Sequence, residues 1–150
     1  MEEDLSEFSA AANYLLRHWP PVLKAWGFTK TAGRIHALLL AHPAALTSDE
    51  IMGTLDISRG GVSTQLGILH HAGLVERLKI LGERHEKFTA IRNPDEVHVA
   101  LQSHLEQNTV LPLLEMRATV SAISGKGDLH WFNTLYALGG LHASKHKSPQ

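Results

Sequence analysis

No cysteine occurs in the 150-residue chain, which excludes disulfide bonds and thiolate metal sites. No uninterrupted apolar run is long enough to span a bilayer, so we expect no membrane partner. The acidic start, Met1 to Asp4, lacks the basic-then-apolar order of a signal peptide. Together these absences favour a cytoplasmic protein.

Catalytic motifs are missing as well. The sequence has no phosphate-binding loop, no nucleophile elbow and no paired catalytic motif, and the Gly-x-Gly at residues 125–127 is only a loop. We therefore predict that the chain is not an enzyme and needs no cofactor.

Charge is distributed unevenly along the chain. The net charge of -1 argues against indiscriminate binding of polyanions. Residues 1–16 contain acidic side chains and no basic ones, whereas residues 57–92 contain three more basic than acidic side chains. A basic patch on one face is the footprint of a nucleic-acid partner, although a solvated surface with scattered basic residues would give the same count.

The central stretch predicts a helix-turn-helix. Ser48 is the expected N-cap of a short helix that ends before a turn at residues 56–58, and Ser58 is the expected cap of the next helix. In that second helix the apolar residues Val62, Leu66 and Leu69 share one face.

The opposite face of the second helix consists of small and polar residues, namely Gly60, Ser63, Thr64 and Gly67. Glycine costs about 1 kcal/mol relative to alanine within a helix, so glycines here favour close approach of another backbone. That backbone is either DNA or a tight turn of the same chain.

A two-stranded hairpin is predicted to follow Gly73. Residues 75–81 and 85–90 have strand character and flank a turn at Gly82-Glu83, with Phe88 inward. A helix-turn-helix followed by a hairpin with a basic tip is typical of a winged helix-turn-helix, which places one helix in the DNA major groove.

Prolines divide the remaining chain in the prediction. The N-terminal amphipathic helix should end near Trp19 or kink at Pro20-Pro21, and a helix beginning near Thr29 or Thr31 should stop before Pro43. Pro94 should open another helix, which Pro112 kinks or divides. A last helix is expected around Trp131, before a polar tail.

The predicted fold class is therefore mainly α with a small β-hairpin wing. We expect N-terminal dimerisation helices in residues 1–28, a winged helix-turn-helix in 29–92, and a C-terminal helical dimerisation region with the tail in 93–150. The apolar stripes of the terminal helices exceed what a small winged domain needs, although they could pack on their own domain instead.

The candidate DNA-binding residues fall into three groups. The second helix should read base edges or hold phosphate at its start, the wing should hold the backbone or minor groove, and the preceding helix should add phosphate contacts. In that order, the groups are Ser58, Arg59, Gly60, Ser63, Thr64 and Gln65; Lys79, Arg84 and Lys87; and Lys30 and Arg34.

Three motifs resemble the GbsR family of MarR-type winged-helix regulators. They are a G-x-x-x-x-x-G-R-I lead-in at residues 27–35, an S-R-G-x-V-S reading helix at 58–63 and a G-E-R wing at 82–84. The resemblance implies a homodimeric bacterial or archaeal transcriptional regulator whose terminal helices form the dimer interface. The wing has Glu83 where the family more often has aspartate, and the region around Pro112 and Trp131 matches nothing in it.

We thus predict a sequence-specific, double-stranded DNA-binding regulator, a repressor acting as a homodimer on a palindromic operator. A small-molecule effector is a further possible partner: terminal aromatic residues could enclose a choline-like cation, such as some members of the resembled family bind, or simply form core. Two alternatives stay open. One is a winged-helix module that binds protein and no DNA, and the other is a metal-responsive regulator using histidines such as His70-His71 or His142 and His146.

Overall fold

Helices make up most of the chain, together with a small antiparallel sheet. The structure, a computed structural model, describes residues 2–124 and, among them, the side chains of residues 10–122. The helices are α1 (Glu2–Ala25), α2 (Lys30–Ala41), α3 (Ser48–Leu55), α4 (Arg59–Ala72), α5 (Pro94–Leu105) and α6 (Leu111–Ser124), and the strands are β1 (Leu46–Thr47), β2 (Val75–Leu78) and β3 (Lys87–Ala90). The predicted fold class, mainly α with a winged helix-turn-helix, is confirmed. The helix predicted around Trp131 and the polar tail lie outside the described residues.

The chain forms two compact units that divide between His104 and Leu105. In the second unit a π-helical turn, Glu106–Val110, precedes α6, and the Leu111 N–H donates to the Glu106 carbonyl five residues earlier. This turn lies just before Pro112, whose ring cannot share space with the carbonyl of an ordinary α-helical turn. The irregularity predicted at Pro112 therefore takes the form of a π-helical turn.

The sheet of the first unit has three strands rather than the predicted two. Its order is β1-β3-β2, and both pairings are antiparallel. β1 is only two residues long, too short to show the alternation by which a strand is recognised in sequence. The hairpin strands are also shorter than predicted, so residues 79–86 form an unpaired tip that turns at Gly82, where φ is +88°.

The core of the first unit surrounds α2. Ile35 and Leu39 of this helix are almost fully buried, as are Leu66 and Leu69 of α4 and Leu74 beyond it. Apolar side chains of this size each contribute roughly 1.5–3 kcal/mol when fully buried. The apolar face of α4 therefore packs against α2, and the opposite face of α4 lies on the surface.

Of the two outcomes predicted at the prolines, an end of the first helix near Trp19 is wrong, because α1 continues through Pro20 and Pro21 to Ala25. The two prolines cannot donate to carbonyls of the preceding turn. Pro20 is buried against Gly33 of α2, where a Cβ atom would lie 2.6 Å from the Pro20 Cα. This close packing compensates for the lost hydrogen bonds, and sequence periodicity does not reveal it.

Within the described residues, no helix combines the length and hydropathy needed to cross a membrane.

Candidate nucleic-acid interface

The helix that precedes α4 is held by a capping box. Thr47, rather than the predicted Ser48, is the N-cap of α3: its hydroxyl accepts from the Glu50 N–H, and the Glu50 carboxylate accepts from the Thr47 N–H at 2.8 Å. The prediction was wrong by one residue, because both residues can cap and only Thr47 has Glu three positions later. This cap fixes the start of α3 beside the wing.

Ser58 is the N-cap of α4, as predicted. Its Oγ accepts a hydrogen bond from the Gly61 N–H at 3.1 Å. Val62, Leu66 and Leu69 are buried beneath the helix, and Gly73 ends it with a positive φ. Burial of that stripe directs the opposite face outward.

The outward face of α4 carries the side chains predicted to read DNA. Gly60, Ser63 and Thr64 are exposed, and so is Arg59 at the start of the helix. The Arg59 side chain is 79% exposed and lies 3.5 Å from the Asp49 carboxylate of α3. Such an exposed ion pair is weak, so Arg59 stays available to a phosphate or a guanine.

The glycines of α4 divide into two kinds. A Cβ at Gly61 would lie 3.0 Å from the Ile57 side chain and 3.1 Å from Ser58 Oγ, so an alanine there would crowd the turn. A Cβ at Gly60 or Gly67 would meet nothing within 4 Å. The tight-turn explanation therefore accounts for Gly61, whereas no packing contact within the described chain requires Gly60 or Gly67.

One cleft brings the reading helix and the wing together. It has a volume of about 240 Å³ and lies between the start of α3, the start of α4 and the wing tip. Arg59 and Arg84 both line it, with His85 from the wing and Asp49 and Glu86 as acidic neighbours. Two cations that are 25 positions apart in the sequence thus line a single concave surface.

The wing cations are not equivalent. Lys87 pairs with Glu83 at 3.5 Å, and Arg77 pairs with Glu86 at 3.6 Å while its guanidinium lies 5.8 Å from the centre of the Phe88 ring. Glu83 and Glu86, the wing carboxylates nearest to Arg84 in the sequence, thus form ion pairs with other cations.

Arg84 and Lys79 are exposed, and neither forms an ion pair within residues 10–122. They are therefore the wing cations best able to meet a phosphate.

Arg34 and Gln65, which are also predicted to bind DNA, form hydrogen bonds within the fold. The half-buried Arg34 donates from Nη2 to the Leu55 carbonyl at the end of α3, at 2.9 Å. Gln65 Oε1 accepts from Thr29 Oγ1 at 2.8 Å, which ties α4 to the N-cap of α2.

Lys30 does not line the wing cleft. It lines a different cavity of about 380 Å³, together with Arg17 and Lys24 of α1 and the apolar side chains of Leu16, Pro20 and Pro21.

Arg92 is one of the basic side chains in residues 57–92, and its hydrogen bonds give it a structural role. Its guanidinium donates to the carbonyls of Leu39 and His42, at 2.9 and 2.7 Å. These partners lie 50 or more positions away in sequence, so no local pattern could have revealed the contact.

Several of the described histidines contact aromatic rings or backbone carbonyls. The ring centroids of Trp19 and His36 are 5.8 Å apart, and those of Phe28 and His104 are 3.7 Å apart. His70 Nδ1 lies 3.1 Å from the Val75 carbonyl. Across the described residues, no group of three or more His, Asp or Glu side chains could hold a metal ion, and His142 and His146 lie outside that part of the chain.

Among the histidines of residues 10–122, His36 is the buried one. It has no solvent-exposed surface, and burial lowers its pKa from 6.5 to about 4. It therefore belongs to the neutral core between α1 and α2.

Comparison with known proteins identifies one relative by sequence. The HTH-type transcriptional regulator MmpR5 of Mycobacterium tuberculosis is 38% identical over 61 residues, which make up 40% of this chain and 37% of that protein. The match thus spans little more than a third of the length of this curated relative. No protein-family model matches the chain.

Comparison of structures supports the fold. The crystal structure of a transcriptional regulator has a TM-score of 0.57 and 22% sequence identity, with 89% of each chain covered. A mutant MepR of S. aureus, bound to an oligodeoxyribonucleotide, covers 97% of this chain and 94% of its own at 18% identity, with a TM-score of 0.45. The first similarity shows a shared fold, whereas the second is too weak to do so by itself.

Proposed function

We propose that the chain is a MarR-type transcriptional regulator that binds specific double-stranded DNA as a homodimer and represses transcription from a palindromic operator. The observation that carries the proposal is the cleft in which Arg59 of the reading helix and Arg84 of the wing lie together. Membership of the GbsR family stays a prediction that rests on the three sequence motifs.

The reading helix and the wing have different roles in this proposal. Ser63 and Thr64 offer small donors and acceptors to base edges, and the absence of a side chain at Gly60 lets the duplex approach the helix. Arg59 contacts guanine or phosphate. The backbone amide groups at the start of α4, directly after Ser58, hold phosphate. Lys79, Arg84 and Lys87 contact the backbone or minor groove. Lys30 and Arg34 of α2 add phosphate contacts, and Gln65 holds α4 against the N-cap of α2 through its hydrogen bond with Thr29.

Replacing Arg84 with alanine tests the role of the wing. Binding to all duplexes should weaken, and the slope of log affinity against log salt should fall by about 0.9, the value for one phosphate contact. Arg17→Ala, which removes an exposed cation of α1, is the matched control and should change neither quantity. An Arg84→Ala slope equal to that of the wild type would remove the wing from the mechanism.

Replacing Ser63 and Thr64 together with alanine tests the reading helix. The double variant should select a different set of sequences, because donors and acceptors at base edges carry sequence choice, whereas phosphate contacts do not. An unchanged selected site would show that another element reads the bases.

The homodimer is proposed from exposed apolar side chains of the terminal helices. Leu111, Leu114 and Met116 of α6 are 41–51% exposed, and Tyr14 of α1 is 64% exposed. Covering them with a second copy would remove this apolar surface from water. The mass in solution at micromolar protein should be that of a dimer, and Leu114→Glu should shift it toward the monomer. A monomeric wild type would contradict the dimer.

For the effector, we propose an organic anion with an apolar body, bound in the cavity near Lys30. Arg17, Lys24 and Lys30 give this cavity a cationic wall without an acidic side chain, and Pro20 and Pro21 supply apolar surface. Calorimetry should detect binding of octanoate and much weaker binding of octylammonium. Lys24→Gln should weaken octanoate binding and leave DNA binding unchanged, and equal binding of the two probes would rule out this ligand class.

A further inference from the structure

Arg92 follows β3 at the base of the wing. Its Nη1 donates to the Ala90 carbonyl at 3.3 Å and to Thr89 Oγ1 at 3.4 Å. Both acceptors belong to the last two residues of β3. One edge of the guanidinium is thereby fixed to the strand that carries the return side of the wing.

The other edge of the guanidinium meets the C-terminal end of α2. Nη2 donates to the Leu39 carbonyl at 2.9 Å and to the His42 carbonyl at 2.7 Å, with the Leu40 carbonyl at 3.4 Å. The last carbonyls of a helix lack donors within the helix and attract positive charge. The last turn of α2 has no basic residue of its own, so Arg92 supplies this charge from the end of the wing.

Only arginine has the shape for this bridge. The guanidinium is planar and carries five N–H donors, so its two edges can serve two elements at once. A lysine ammonium would keep the charge at the end of α2 but concentrate its donors at one point. The bridge therefore depends on geometry in addition to charge.

We propose that Arg92 is a positioning residue for DNA binding. It fixes the base of the wing against the end of α2 and thereby sets where Arg84 lies relative to α4, without contacting DNA itself. This inference rests on the proposed function. It gives Arg92 a different role from the wing cations, which contact DNA themselves.

The first test compares Arg92→Gln and Arg92→Lys in binding to a duplex selected by the wild type. Both variants should weaken binding by on the order of tenfold, the equivalent of one or two lost hydrogen bonds from a charged donor, and both should lower the salt slope by up to about 0.9, because a misplaced Arg84 loses its phosphate contact. A direct phosphate contact by Arg92 would behave differently: Arg92→Lys would bind almost as the wild type with the wild-type slope, and Arg92→Gln alone would lower the slope. That second pattern would overturn the proposal.

The second test is a pair of double-mutant cycles, which a merely destabilising substitution would leave additive. Once Arg84→Ala has removed the wing contact, Arg92→Gln should cost much less than it does alone. The cycle between Arg92→Gln and Ser63→Ala should be additive, because Ser63 lies on the reading helix. Additivity in both cycles would show that Arg92 only stabilises the fold.

All variants are measured at a temperature where circular dichroism shows them folded, and Arg92→Lys replaces Arg92→Gln in the cycles if the glutamine variant does not fold. A wild type that selects no duplex would contradict the proposed function itself. If the wild type binds and both Arg92→Gln and Arg92→Lys bind as tightly as the wild type, only the positioning role is contradicted.

Discussion

Replacing His36 with asparagine should change how the stability of the protein depends on pH. His36 lies on α2 with no exposed surface, and its Nδ1 accepts a hydrogen bond from Trp19 Nε1 at 2.8 Å. The proton of the neutral ring must then be on Nε2, for which the described residues provide no acceptor. Asparagine can keep an acceptor for Trp19 but cannot take up a proton.

The expected magnitude follows from the pKa of His36. Burial lowers this pKa from 6.5 to about 4 in the folded protein, so between these values the unfolded chain binds a proton that the folded chain does not. Stability is therefore fully present above pH 6.5 and is lost as pH falls toward 4. The complete loss is about 3 kcal/mol, and between about pH 7.5 and about pH 5 it is about 2 kcal/mol.

The assay is urea denaturation followed by circular dichroism at those two pH values and at one fixed protein concentration. The cavity left by asparagine costs the same free energy at both pH values. The informative quantity is therefore how the difference in the free energy of unfolding between wild type and variant changes with pH. That difference should shrink by about 2 kcal/mol on acidification. His71→Asn, which removes an exposed histidine from α4, is the matched control for losing one imidazole from a helix.

Parallel stability curves for wild type and His36→Asn would refute this reasoning. They would mean that His36 takes up its proton equally easily in the folded and unfolded chains, and so that the α1–α2 interface does not exclude water from the ring.

Other substitutions test the packing and the interface separately. Gly33→Ala should lower the free energy of unfolding by roughly 1–3 kcal/mol in thermal denaturation, because its Cβ would lie 2.6 Å from the Pro20 Cα; unchanged stability would show that α1 does not pack there. Gly53→Ala has open space and should instead raise it by up to about 1 kcal/mol. Gly60→Ala should not destabilise the protein but should weaken DNA binding, and unchanged binding would mean that no backbone approaches Gly60. Thr47→Ala should cost about 1 kcal/mol through the lost cap, and no loss would argue against the capping box.

Local signals in the sequence predicted the helix α4 well. Ser58 caps α4, Gly73 ends it, and the stripe of Val62, Leu66 and Leu69 is buried. Each of these features depends on residues within one or two helical turns. That is why the fold class and the exposed face of α4 could be predicted from sequence alone.

Features that depend on distant residues were missed. α1 continues through Pro20 because Gly33, on another helix, allows close packing. β1 forms by pairing with β3 some 40 positions later. In the sequence, Arg34 and Arg92 are basic residues of the kind that bind phosphate. In the structure, both donate to carbonyls at helix ends. Sequence shows that such a cation is present and does not show which acceptor it reaches.

Selection of bound sequences from a pool of random duplexes tests the central claim most directly. If α4 and the wing of each subunit in a homodimer read DNA, the wild-type protein should enrich a palindrome whose half-sites lie about one helical turn apart. Arg59→Ala in the same selection should lose that enrichment. A wild-type pool with no enrichment over a scrambled control would contradict the account and favour a winged-helix module that binds protein instead.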